Sequence, residues 1–266
     1  MAERKILPAY LASFRMGTRL IVRDRGDLIS KLFIYAVLLL IFYSIFSIMP
    51  LEQLNAPNIT ARHLLWYFAM TEIVTVGALG LRRDVGRIIA DGQLTTLMQR
   101  PGGMIFMILT RLFGSYMTII ALLLAATLAT LPLVGLPMPM PLTQMPILLV
   151  MLTLAGLISL LLGCLSGMFE ILGPYSQPVD WILHKFVMAL GGLFFPVCFF
   201  PPLIQHLVML TPFPSILYAP GSLMLGTPQA TITNSIFLQI FWLLTLGTLT
   251  LVLENKAVRR VMRTGD

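Results

Sequence analysis

Charge is scarce in this chain. Only 11% of its 266 residues are Asp, Glu, Lys or Arg, while 58% are hydrophobic. A soluble domain carries charge on about 25% of its residues, so a mean hydropathy of +0.90 excludes a water-soluble globule and marks an integral membrane protein. Cysteine is nearly absent too. Cys164 and Cys198 sit in two different apolar runs, where cysteine behaves as a small hydrophobe, so no disulfide framework is indicated. The N-terminus, "MAERKILPAY", leads through mixed residues into the first apolar run, and no small-residue cleavage site follows it. The first span is therefore expected to stay in the mature protein.

The missing motifs exclude several chemistries. A phosphate loop needs Gly-Lys-Ser/Thr, but the four lysines follow Arg4, Ser30, His184 and Asn255. ATP is not expected to bind this chain through such a loop. His63, His184 and His206 stand far apart in sequence, with no carboxylate at helical ligand spacing, so no metal site is expected. There is no G-x-S-x-G elbow and no pair of intramembrane aspartates, which removes the usual bases for nucleophilic or acid–base catalysis.

What is present is greasy and long. Runs of about 20 uncharged residues, each able to cross a hydrocarbon core of roughly 30 Å, begin near Leu32, Leu64, Leu112, Met145, Phe186 and Thr233. These predict an all-α membrane protein of six transmembrane helices, organised as a single domain over residues 1–266. Basic residues orient it. Seven lie up to Lys31, five between Arg82 and Arg111, one at Lys185 and four between Lys256 and Arg263, leaving Arg62 alone on the other side. The positive-inside rule then puts both termini in the cytoplasm, with residues 82–111 and 170–185. The net charge of +7 reports topology and lipid headgroups rather than a nucleic-acid partner.

Several segments depart from plain spans. Residues 5–27 place Leu7, Tyr10, Leu11, Phe14 and Ile21 on one helical face and Arg15, Arg19 and Arg23 on another, the pattern of an interfacial helix. Ala155, Ser159, Gly163 and Gly167 form a ladder of small residues that allows close helix packing, within the chain or with a second one. Six prolines between Gly191 and Gly221 break any helix repeatedly, predicting an outer, partly re-entrant hairpin over residues 196–221 before the last span. Glu72, near the middle of the second span, would cost on the order of 3 kcal/mol if charged and facing lipid. It is expected to face protein or water, either in a substrate path or as a neutral, hydrogen-bonded acid.

The stretch "DVGRIIADGQLTTLMQRPGG", residues 84–103, is polar and amphipathic between two spans. Asp84 suits an N-cap, Val85, Ile88 and Ile89 make one short apolar edge, and Leu94, Leu97 and Met98 make another, before Arg100-Pro101 stops the segment. An isolated helix of this length is marginal in water and needs a partner surface or the membrane interface.

Ile89-x-x-Gly92-x-Leu94-x-x-Leu97-x-x-Arg100-Pro101, after the second of six predicted spans, resembles the cytoplasmic coupling segment of the type-2 class of ABC exporter permeases. The likeness extends over the whole chain, through the basic N-terminal helix, "LFFPVCFFPPLIQHLVMLTPFPSILYAPGSLMLG" and the basic tail "ENKAVRRVMRTGD". One departure stands out: relatives often carry an acid where this chain has Ile88. The resemblance implies a permease in a bacterial plasma (inner) membrane. ATP and Mg would be held on a separate ABC ATPase dimer, with no cofactor bound by this chain. Residues 84–99 would form a coupling helix docked on that ATPase through Asp84, Val85, Ile88, Ile89, Gly92, Leu94, Leu97, Arg100 and Pro101. A second permease, identical or related, would complete the path. The broken hairpin, with Phe195, Pro196, Phe199, Phe200 and Pro201 as candidates, would help close the exit. The implied function is outward movement of a hydrophobic or amphipathic compound, drug-like or lipid-linked. A membrane scaffold that binds a partner without transport is the alternative.

Overall fold

A computed structural model describes residues 3–49, 59–82, 85, 103–172 and 177–264, and these are helical apart from short connections. Helix α1 (Glu3–Arg23) ends at Asp24, whose side chain accepts from the Asp27 amide and starts α2 (Arg25–Ile48). Helix α3 (Ala61–Val74) runs on through one π turn, Thr75–Leu79, to Arg82. Helices α4 (Met104–Leu133) and α5 (Met145–Leu172) follow, then a shorter α6 (Gln177–Leu190), three pieces α7 (Pro202–Met209), α8 (Phe213–Ile216) and α9 (Tyr218–Ser222), and the long α10 (Gln229–Thr264).

Helix α3 is the axis of the bundle. Every residue from Leu64 to Val74 is buried, as expected of a helix that is apolar all round. Trp66, Tyr67 and Phe68 pack in three directions, and Trp66 donates to the Leu136 carbonyl in the α4–α5 connection at 3.1 Å. By contrast, α2 and α10 lie at the rim and turn large apolar side chains such as Phe33, Leu40, Phe241 and Leu244 outward.

Among the described residues, five helices are long and apolar enough to cross a membrane: Arg25–Ile48, Ala61–Arg82, Ile105–Leu133, Leu142–Met168 and Gln229–Lys256. The run from Phe186, which the sequence reads as a fifth of six spans, is not a long helix. Instead α6 starts earlier, at Gln177, and stops after 14 residues. Its end is fixed by Gly191 and Gly192: Gly192 sits at φ +77°, a region other residues rarely adopt, and the Leu193 amide turns back to the Met188 carbonyl at 3.1 Å. At about 1.5 Å per residue, α6 is roughly 21 Å long, short of the hydrocarbon thickness.

Prolines then set the pieces. Pro202 and Pro214 occupy first-turn positions of α7 and α8, where the missing N–H costs nothing. From Pro214 to Met224 every residue is buried, so this broken stretch lies inside the bundle against α3, α5, α6 and α10.

The N-terminal helix also has a protein partner. Tyr10, Phe14, Gly17 and Ile21 form the inward stripe of α1, while Arg15, Arg19 and Arg23 are exposed. Tyr10 meets Phe106 and Phe14 meets Phe113 along α4, and the Ser115 hydroxyl donates to the Gly17 carbonyl at 3.0 Å. Leu7 and Leu11, placed on the same apolar face by the sequence pattern, are exposed instead.

Candidate functional site

Two ties flank the stretch 83–102, one at each end. At the near end Arg82, the last residue of the α3 span, is only 1% exposed, and its Nη2 donates to Asp180 Oδ1 of α6 at 3.0 Å. Ser166 of α5 donates to the same oxygen at 3.4 Å. The Arg82 stem fits because Gly163 has no side chain; a Cβ there would lie 2.9 Å from Arg82 Cγ. The small-residue ladder of α5 thus packs within the chain, with Ala155 and Ser159 fully buried as well. Among the described residues, Arg82 Nε and Nη1 have no hydrogen-bond partner.

At the far end Gly103, at φ +85°, turns the chain into α4. The first turn of a helix has orphan amides and a partial positive charge. Glu254, from the C-terminal half of α10, supplies the acceptor: its Oε1 takes the Ile105 amide at 3.0 Å. The predicted coupling residues themselves, Asp84, Ile88, Ile89, Gly92, Leu94, Leu97, Arg100 and Pro101, lie outside the described residues. Val85 is described and is buried.

The broken stretch is held by backbone acceptors. Tyr67 of α3 donates to the Gly192 carbonyl at 2.5 Å, and Thr71, one turn on, reaches the Leu193 carbonyl at 3.4 Å. Gly221 brings α9 against the same two side chains; a Cβ there would come within 2.7 Å of the Tyr67 ring. On the other side Gln239 of α10, fully buried, donates from Nε2 to the Ser215 carbonyl at 2.9 Å and to the Met151 carbonyl at 3.0 Å. The Tyr67 and Thr71 hydroxyls thus satisfy carbonyls just past the end of α6, and Gln239 ties α8 to α5.

The candidate gate residues are spread over the bend between α6 and α7. Phe195 and Pro201 are exposed, Phe199 and Phe200 half-buried and Pro196 buried. Phe194, which the sequence reading passed over, stacks on Phe42 of α2 at 5.9 Å.

Glu72 faces protein, with 5% of its surface exposed. It lies within electrostatic reach of Tyr35, whose hydroxyl contacts Thr127 Oγ1 at 2.6 Å and the Ala69 carbonyl at 3.4 Å. No hydrogen bond or ion pair joins Glu72 to another described side chain. Among the described residues no group of three His, Cys, Asp or Glu side chains gathers where a metal ion could sit.

Sequence reasoning reached Glu72, the α5 ladder and the proline-broken stretch. It missed Asp180, Gln239 and Glu254. Each is a polar residue inside or beside an apolar helix, a signal that marks intramembrane polar groups for attention. None names its partner, which lies 98, 24 or 149 positions away.

A family model described as "ABC-2 family transporter protein" matches residues 31–265. No curated protein matches the chain.

Proposed function

The chain belongs to the ABC-2 transporter family of membrane permeases, and we propose that it is the permease subunit of an ATP-driven exporter. The observation that carries this reading is the amphipathic stretch 84–101, which follows directly from the buried central helix and sits in a chain without a phosphate loop. A permease of this kind draws its energy from a separate ABC ATPase, which holds ATP and Mg. Residues Asp84, Val85, Ile88, Ile89, Gly92, Leu94, Leu97, Arg100 and Pro101 form the docking helix on it.

Helix α6 and the broken stretch after it together make the sixth crossing, with residues 196–221 toward the outer face. Both termini and residues 82–111 then lie in the cytoplasm, as the basic residues favour. The membrane is the bacterial inner membrane. A second permease, the same or a related chain, pairs with this one, and a hydrophobic or amphipathic compound moves outward between them. Phe195, Pro196, Phe199, Phe200 and Pro201 help close the exit, and Glu72 is the candidate polar contact along the path.

The test is affinity purification of the tagged chain from its native membrane with mass spectrometry of its companions. A phosphate-loop ATPase is expected, and its absence under gentle detergent conditions would favour a scaffold without transport. Changing Ile88→Asp and Ile89→Asp together should leave the chain in the membrane and remove the ATPase from the purified complex. Retention of the ATPase by that variant would refute the docking assignment.

A further inference from the structure

We propose that the Arg82–Asp180 pair is a positioning joint: it passes a displacement of the Arg82 end of α3 through α6 to the broken stretch 191–225. The proposal rests on the reading of residues 84–101 as an ATPase-docking segment.

The geometry makes α6 a strut held at both ends by one helix. At its first turn Asp180 meets Arg82, and just past its last residue the Gly192 and Leu193 carbonyls meet Tyr67 and Thr71. All three of those partners belong to the α3 span. Between the two grips α3 adopts its π turn, Thr75–Leu79. A π turn holds one residue more than an α turn, and such turns recur at functional sites. It is where α3 can change length between its grips.

The alternatives for a displaced Arg82 are few. Little room is left for movement toward α5, because the Arg82 stem already fills the space that a side chain at Gly163 would take. The guanidinium has no other partner among the described residues, so leaving Asp180 would strand a buried charge. Arg82 and Asp180 therefore move together. Helix α6 has no proline or glycine beyond its first turn and transmits that movement along its axis. At its end Gly191 lies against the Phe213 carbonyl and Leu217, and Gly192 against Val197, so both limbs of the broken stretch are in contact with the moving end.

Cys198 gives a native reporter, since it is exposed in that stretch while Cys164 is buried. The complex of tagged chain and ATPase is placed in nanodiscs and labelled with N-ethylmaleimide, without nucleotide and with ATP, Mg and orthovanadate. Labelling is read on the Cys198 peptide by mass spectrometry. The wild type is expected to change its labelling rate severalfold on trapping. Arg82→Met and Asp180→Asn should retain ATPase and lose that change, and Arg82→Lys, which keeps the charge, should recover part of it. A purely structural pair would not make the nucleotide response depend on charge at position 82.

Failure to recover any ATPase with the wild type would overturn the docking reading, and the joint with it, before variants are compared. With ATPase bound, three results overturn the joint alone: no nucleotide effect on wild-type Cys198, a full effect in Asp180→Asn, or loss of the ATPase from that variant. Asp180→Asn decides the matter if Arg82→Met does not fold.

Discussion

The Arg111 carbonyl occupies the space that a side chain at Gly17 would need: a Cβ there would sit 1.8 Å from that oxygen. Across the same crossing, a Cβ at Gly114 would sit 2.2 Å from the Phe14 carbonyl. The two glycines let the backbones of α1 and α4 touch, and Thr18 and Ser115 exploit that approach by donating to the Gly114 and Gly17 carbonyls. Gly17→Val therefore forces the helices apart, and overpacking of this kind costs about 1–3 kcal/mol. Gly247, on α10, has no neighbour within 4 Å of an added Cβ, so Gly247→Ala should not lower stability. Thermal unfolding of the detergent-solubilised chain, followed by loss of the monodisperse peak, should show a lower midpoint for the first variant alone. Equal midpoints would mean that α1 does not rest on α4 through this crossing.

At the scale of elements, the start of α4 depends on a residue from the far end of the chain. Glu254 caps the Ile105 amide where the helix has no acceptor of its own. Glu254→Ala leaves a buried N–H unmatched, a loss of about 1–3 kcal/mol, whereas Glu254→Gln keeps an acceptor and loses only the charge. Hydrogen exchange of amides 103–108 should speed up strongly in the first variant and weakly in the second. Unchanged exchange in Glu254→Ala would show that the cap contributes nothing. The comparison between sequence and fold turns on the same kind of pairing. The long apolar helices α2, α3, α4, α5 and α10 were legible because hydropathy is a local property. Helix α6 was misplaced because Asp180, His184 and Lys185 depress hydropathy just where it begins, and the partner that accommodates Asp180, Arg82, is 98 positions away. The glycines at 17 and 114 carried no signal either, since a single glycine reveals a close approach only once the opposite backbone is known. The broken stretch was readable from its prolines, but its course through the core was not. That course depends on Tyr67, Thr71 and Gln239 finding carbonyls in distant segments.

For the whole molecule, the five long helices alone would carry the two termini to opposite sides of the membrane. Helix α6 is too short to cross as a single rod, so the side on which α10 begins depends on whether the broken stretch completes the passage. The basic residues between Lys256 and Arg263 favour completion, because they then join the basic N-terminal segment on one face, as the positive-inside rule prefers. Gln229 is exposed at the start of α10, and Thr264 ends it. With Cys164 and Cys198 replaced by serine, a Gln229→Cys variant should react with a membrane-impermeant maleimide in intact cells. A Thr264→Cys variant should react only after the membrane is opened. The reverse pattern would mean that α6 and the broken stretch enter and leave on one face. The basic C-terminal segment would then lie outside, against the charge rule, and the docking stretch and the C-terminus would face opposite compartments. Labelling of both positions from outside would place the start and end of a 36-residue helix on one side of the membrane, which excludes α10 as a span.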